Sequence, residues 1–340
     1  MSSENGGSRT PPLSEDLVEA LIEALWVPAQ QRGEEVYALV DGARDGRIYE
    51  RIRRSGLDHR CLLGRGLEPS LARTAPYLVS LGRRSLFTRE LLAEGWGRGW
   101  GLFLASEAVL QQLVRHFRRF LDVRDPGGRS LMLRLWDPRV VRSFLPVCTR
   151  EELAFLFGPI GSFSIEVGNG DRLQRLLRIE EGEVEGYLEE EIVRLSSAGP
   201  EVVSKSLVAG NLRGPDPARS RDRLFRLRQP HWEALQRLAR ESFVDHTLRL
   251  IARSWPHTCR SRGDSEIRRF VRRGIATAGT YGVTGRRSVL HFLNLQLALG
   301  EDFHRLPWAV ELLDREDLRG ATRISLLRER AERVMAAECG

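Results

Sequence analysis

The chain has 340 residues, of which 41% are hydrophobic and 29% charged, and its formal net charge is +7. This composition excludes a low-complexity or disordered chain, and the length fits two domains, each able to bury a core. No apolar run approaches the roughly 18–20 residues of a membrane span, which excludes a transmembrane helix. Residues 1–12 are rich in Ser, Gly and Pro and lack the basic-then-apolar order of a secretory signal. They read as a disordered tail of a cytoplasmic protein. Cys61, Cys148, Cys259 and Cys339 show no CxxC pair and no histidine at zinc-ligand spacing. They read as free thiols in a reducing compartment. Lys205 is the only lysine. The remaining positive charge is arginine, whose planar fork pairs bidentately with carboxylate or phosphate and stacks on aromatics.

A first helix is predicted from Ser14, its N-cap, to about Trp26, with Leu17, Leu21, Ile22 and Leu25 on one face and Pro28 ending it. Glu35 to Val40 reads as a buried strand closed by Asp41-Gly42, and a helix follows through Ile48, Tyr49 and Ile52 to Gly56. Cys61-Leu62-Leu63 reads as a short strand and Tyr77 to Leu81 as another apolar segment. Trp100 to Ala105 is a further predicted strand, and Ser106 caps a helix with Val109, Leu110, Leu113, Val114, Phe117 and Leu121 on its apolar stripe. Ser130 to Trp136 alternates as a strand does. Asp137-Pro138 stops it and opens a helix, with Asp at the N-cap and Pro at the first helical position. Phe163 to Val167 is one more predicted strand. Glu180–Glu191 is strongly acidic, and Gly210–Arg221 reads as an exposed linker.

From about Leu224 the pattern is helical only. One helix starts near Pro230 with Trp232, Leu235, Leu238, Leu248 and Ile251. Asp264 caps a second with Ile267, Phe270, Val271, Ile275 and Ala278 inward. Thr284 caps a third with Val289, Leu290, Leu293 and Leu297, and two more start at Pro307 and Ile324. The expected fold is therefore an α/β (or α+β) N-terminal domain with a small mixed sheet flanked by helices, followed by an all-α helical bundle. Its divisions are 13–170 for the first domain, 171–223 for an acidic connector and linker, and 224–340 for the helical domain.

No GxGxxG follows a strand, and there is no Walker loop, GxSxG elbow or HExxH. Gly95-Trp-Gly-Arg-Gly-Trp100 leads into a strand, so it reads as a tight turn over packed aromatics and not as a phosphate cradle. Asp41 and Asp137 both fall at strand ends, where α/β sheets bind ligands. Two converging carboxylates, with His59 or His116 near, describe a metal-dependent hydrolase. The plainer reading is capping or a buried Asp–Arg pair, because Arg134 and Arg139 flank Asp137. Arg268, Arg269, Arg272 and Arg273 form a basic face opposite the apolar stripe of their helix. It suits a solvated surface first, then an acidic protein partner, then RNA. The five histidines from His231 to His304 lack ligand spacing.

Six segments in order carry a family likeness. Val36-Tyr37-Ala38-Leu39-Val40-Asp41-Gly42-Ala43 resembles the opening strand of the type VI secretion effector adaptor/chaperone (Tap/TEC) family, also called the domain-of-unknown-function 4123 family. Ala75-Pro76-Tyr77-Leu78-Val79 is similar to its second signature, and Trp96 to Leu104, with Trp100, to its tryptophan-glycine strand. Arg115-His116-Phe117-Arg118 falls at its basic, aromatic helix end. Arg134-Leu135-Trp136-Asp137-Pro138-Arg139 resembles its core motif, with Trp136 where tyrosine is usual, and Phe157-Gly158-Pro159-Ile160 its closing segment. The likeness covers roughly residues 36–165. Ala278–Thr284 and Phe303–Trp308 more weakly resemble a tail often joined to such domains.

The resemblance implies a cytoplasmic adaptor without catalysis or cofactor. Such adaptors bind a cognate toxic effector and help load it onto the VgrG spike, often PAAR-tipped. No nucleic acid or membrane partner is implied. The motif positions Tyr37, Asp41, Pro76, Tyr77, Trp96, Trp100, Arg134, Trp136, Asp137, Pro138, Arg139, Gly158 and Pro159 then hold the fold or bind the partner. The Arg268–Arg273 face is the further candidate contact.

Overall fold

A computed structural model of the chain describes residues 11–168, 170–178, 188–209, 224–315 and 317–338. The expected tail up to residue 10, the linker 210–221, most of the acidic run 180–187 and Cys339 lie outside the described residues. The chain divides into two compact units, residues 1–236 and 237–340. That division falls inside one helix, α8 (Gln229–Ser254), and not at residue 224.

The first unit is built on an eight-stranded sheet. Its central strand β1 (Glu35–Asp41) is buried on both faces after the first residue, which is why its sequence runs apolar without alternation. β1 pairs with β3 (Pro76–Ser80) on one side and β4 (Gly101–Ser106) on the other. The short β2 (His59–Cys61) closes the β3 edge. Arg118 donates to the Leu62 and Cys61 carbonyls, so the end of this edge is covered by a guanidinium. Beyond β4 lie β7 (Ser162–Val167), β8 (Arg172–Arg178), β9 (Leu188–Ser196) and β10 (Gly199–Ala209). Every neighbouring pair in this sheet is antiparallel.

The expectation of a small mixed sheet is therefore corrected. The sheet is larger and antiparallel because residues 172–209, expected as part of an acidic connector, supply three strands. The last three glutamates of the expected acidic connector, Glu189, Glu190 and Glu191, sit in β9. Glu191 points inward, where Arg175 at 2.5 Å and Lys205 at 2.5 Å neutralise it. A buried carboxylate is tolerated only with such partners.

Helix α1 (Glu15–Gln31) packs its face of Leu21, Ile22, Leu25 and Trp26 onto this sheet. Each such burial contributes about 1.5–3 kcal/mol. The helix does not end at Pro28 but continues three residues past it. Pro28 has no N–H for the Ala24 carbonyl. The Arg175 guanidinium donates to that carbonyl instead, so the buried acceptor is not left unsatisfied.

Helices α2 (Ile48–Arg54), α3 (Pro69–Thr74), α4 (Leu86–Gly95) and α5 (Leu110–Arg118) connect the strands β1 to β4 and follow β4. The predicted strand Ser130–Trp136 is paired only over β6 (Ser130–Leu131), which joins β5 (Val123–Arg124) and β11 (Phe225–Arg226) in a second, three-stranded sheet. The rest bends toward Asp137, whose carboxylate accepts from the Arg139 amide and starts α6 (Pro138–Phe144). Helix α7 (Arg150–Phe157) opens with a reciprocal cap between Thr149 and Glu152.

The second unit holds the C-terminal part of α8 with α9 (Pro256–Arg262), α10 (Asp264–Thr280), α11 (Arg286–Leu299), α12 (Pro307–Leu313) and α13 (Gly320–Glu338). Its core joins Ile267, Phe270, Val271 and Ala278 of α10 to Val289, Phe292 and Leu293 of α11. These are largely the inward residues predicted from helical spacing. No helix is long and apolar enough to cross a membrane among the described residues.

Candidate partner-binding site

The two strand-end aspartates are brought together through arginine. Asp41 ends β1, and its carboxylate accepts from the Ala43 amide at 3.1 Å. Its other oxygen lies 3.3 Å from Arg44 Nε and 3.4 Å from an Arg134 nitrogen. Asp137 accepts from the Arg139 amide, from Arg139 Nε at 3.0 Å and a terminal nitrogen at 2.7 Å, and from Arg44 at 2.8 Å. The result is one alternating chain, Arg134–Asp41–Arg44–Asp137–Arg139. The Asp137 carboxyl is buried, which alone would raise its pKa. The Arg139 fork and Arg44 overcome this and hold it below the usual carboxylate range.

The flanking-arginine reading thus holds for Arg139, while Arg134 pairs with Asp41 instead. Arg44, which bridges both aspartates, carries no sequence motif of its own. The turn at Asp41-Gly42, which brings the Arg44 amide back to the Asp41 carbonyl, is the signal that could have placed it there. Both carboxylates are engaged by guanidinium and amide groups. His59 and His116 bond to the carbonyls of Leu57 and Leu156, not to either aspartate. Nothing in this arrangement leaves a carboxylate oriented for general-base or cation-binding work.

The glycine-rich turn adjoins this chain. Gly97 and Gly99 have positive φ, and their amides donate to the two oxygens of Glu166 at 2.6 and 2.8 Å. Successive amides so arranged form an anion-binding concavity. Here it is filled by the protein's own carboxylate from β7. Burial pushes the Glu166 carboxyl up despite both amides. Trp96 and Trp100 are buried beneath the turn, as the sequence predicted, and Trp96 donates to the Gly170 carbonyl at 2.9 Å.

Most other motif positions point inward. Tyr37 donates to the Ala108 carbonyl and Tyr77 to that of Ala72. Pro76 and Pro138 are buried, and Trp136 is buried with its indole N–H unpartnered. The Pro159 carbonyl accepts from Ser106. Gly158 has φ +52°, and a Cβ there would lie 2.4 Å from the His116 ring, so glycine is required twice over. The motif therefore separates into residues that hold the fold and two arginines, Arg134 and Arg139, that reach the surface.

One buried cluster escaped sequence reasoning. Cys148, Glu152 and His231 bring ligand-type atoms within 4.8 Å of one another. Glu152 accepts from Arg228 through both oxygens at 2.6 Å, and from the Thr149 amide. His231 Nδ1 accepts from the Arg228 amide, leaving Nε2 to face Glu152 at 3.2 Å. Burial pushes the Cys148 thiol well up, and its Sγ donates to the Phe144 carbonyl. With Arg228 already on the carboxylate, this is a hydrogen-bonded ion pair that fastens residue 228 to α7, not a cation site.

In the second unit, the predicted basic face lies on α10. Arg268 pairs with Asp245, Arg272 with Glu241 and Arg273 with Glu301. Arg269 is exposed and engages no carboxylate among the described residues. Much of this face is neutralised within its own unit.

Fold and site define an α/β domain with a closed charge chain at the end of its central strand. Residues 36–154 match the model of a family described as Domain of unknown function (DUF4123). No curated protein and no solved structure matches the chain.

Proposed function

We propose that the chain is a cytoplasmic, non-catalytic adaptor of a type VI secretion system. It binds a cognate toxic effector and helps load that effector onto the VgrG spike, with or without a PAAR tip. The observation that carries this reading is the family match over 36–154, the segment that holds five of the six signatures. The chemistry of the site supports it. The carboxylates a hydrolase would use are committed to arginine, while the arginines themselves reach solvent. No observation favours the hydrolase or RNA-binding alternatives.

Co-expression of the full chain with the effector and spike proteins encoded beside it tests the proposal. The expected result is a stable complex containing the chain and the effector. Failure to form a complex with either protein contradicts it.

A further inference from the structure

The charges around Asp41 and Asp137 are sorted by depth. Asp41 is 1% exposed and Asp137 5% exposed. The side chains of Arg134 and Arg139 are 52% and 40% exposed. Arg142 lies three residues after Arg139 on the same face of α6 and is exposed. No hydrogen bond or ion pair engages it among the described residues. Its charge acts on Glu166, as does that of Arg44. The Arg44 guanidinium carbon and Glu166 Oε1 both lie within 4.0 Å of the position where a Gly99 side chain would begin. One contiguous cluster therefore holds its carboxylates inside and presents guanidinium groups outward.

Such an arrangement has a physical consequence. An exposed arginine normally loses rotamer freedom when it binds an anion. Here the buried aspartates already fix Arg139 and restrain Arg134, so less entropy is lost on docking. Among the described residues Arg134 keeps most of its donors unused, because its one carboxylate contact is 3.4 Å long. Its guanidinium also sits 5.7 Å from the Trp136 ring, a second restraint.

We propose that Arg134, Arg139 and Arg142 form a docking patch for a carboxylate-bearing, acidic segment of a protein partner. This deepens the adaptor reading and rests on it only for the partner's identity. Arg44, Arg134, Arg139 and Arg142 set against Asp41, Asp137 and Glu166 leave a single positive charge. That balance suits side-chain carboxylates taken one at a time. A phosphate backbone calls for an extended track of unneutralised cations, and here each inner cation shares a buried carboxylate.

The test uses the full chain and a fluorescent hexaglutamate peptide, read by anisotropy at low and physiological salt. Binding is expected to weaken about threefold in R134E and in R142E, and about tenfold in the double variant, as for charge pairs at a docking rim. R269E, an exposed arginine of the more basic helical unit, is expected to change binding less than about twofold. Arg142 carries no hydrogen bond or ion pair among the described residues, so R142E keeps the test valid if R134E unfolds. Absence of peptide binding, or equal loss in R269E, overturns the patch. A 12-nucleotide single-stranded RNA that binds more tightly and is lost in the same variants overturns the partner class. Peptide binding at the patch without any complex with the neighbouring effector or spike leaves the patch standing and removes the adaptor reading. An effector complex that R134E/R142E leaves unchanged removes the patch and leaves the adaptor.

Discussion

The guanidinium of Arg175 donates to the carbonyl of Ala24, the acceptor that Pro28 leaves without its helical donor. The same guanidinium holds Glu191, so one buried arginine lets α1 run past a proline and lets an acidic strand enter the sheet. Replacing Arg175 with Gln is expected to cost about 3 kcal/mol, because a buried carboxylate loses one of its two cationic partners. Pro28→Ala restores an N–H for Ala24. In that background the loss should shrink by about 1 kcal/mol, the net worth of one hydrogen bond. Urea denaturation of the two single variants and the double variant measures the coupling.

The chain of charges at the end of β1 makes a second prediction. Asn at 137 retains a capping oxygen but removes the charge that holds Arg44 and Arg139. D137N is expected to cost about 2 kcal/mol at pH 7, by the scale of charged hydrogen bonds. The folded-state pKa of Asp137 is lowered, so its contribution is present above the ordinary carboxylate value and is lost as pH falls through the folded value. The difference between D137N and the parent should therefore narrow in acid, as read by denaturation midpoints.

His116 gives the opposite kind of titration from a base. It is 5% exposed, and burial lowers its pKa from 6.5 to about 4 while its Nε2 donates to the Leu156 carbonyl. Below pH 6.5 the unfolded chain binds the proton more readily than the folded one, so stability falls from there to about pH 4. Between pH 7.5 and pH 5 the loss should be on the order of 2 kcal/mol. Gly158→Ala, which drives a Cβ against this ring in a left-handed backbone, should destabilise by about 2–3 kcal/mol, by overpacking and backbone strain together.

The Cys148, Glu152 and His231 cluster separates a structural ion pair from a metal centre. Glu152 is held at about 2, with burial raising it and Arg228 and His231 lowering it more. Its contribution to stability is present above the ordinary value of 4.5 and is lost as pH falls toward 2. Added Zn²⁺ should leave the melting temperature unchanged within about 1 °C, since no ligand set among the described residues is open to stabilise the fold by binding. In the native protein, Cys148 should resist a thiol reagent that labels the half-buried Cys61 and Cys259.

Much of the fold was legible because β1, β3, β4 and β7 are apolar, branched or aromatic runs, and the helices of the second unit keep their spacing. What stayed hidden depends on partners distant in sequence. The donor that carries α1 past Pro28 comes from 151 residues beyond Ala24. β9 reads as part of an acidic connector until Arg175 and Lys205 meet Glu191. Ser130–Trp136 alternates like a strand, yet its pairing ends at Leu131 and the chain goes on to the Asp137 cap of α6. At the site, the Asp–Arg pairing was legible from Arg134 and Arg139. The bridging role of Arg44 and the filling of the glycine turn by Glu166 required the folded sheet.

The central claim is that this chain joins an effector to its spike. Its most direct measurement is recovery of the neighbouring effector on immobilised VgrG, with and without the full chain. The account predicts that the effector is retained only when the chain is present, and that the chain is found in the retained complex. Retention of the effector on the spike to the same extent without the chain contradicts it.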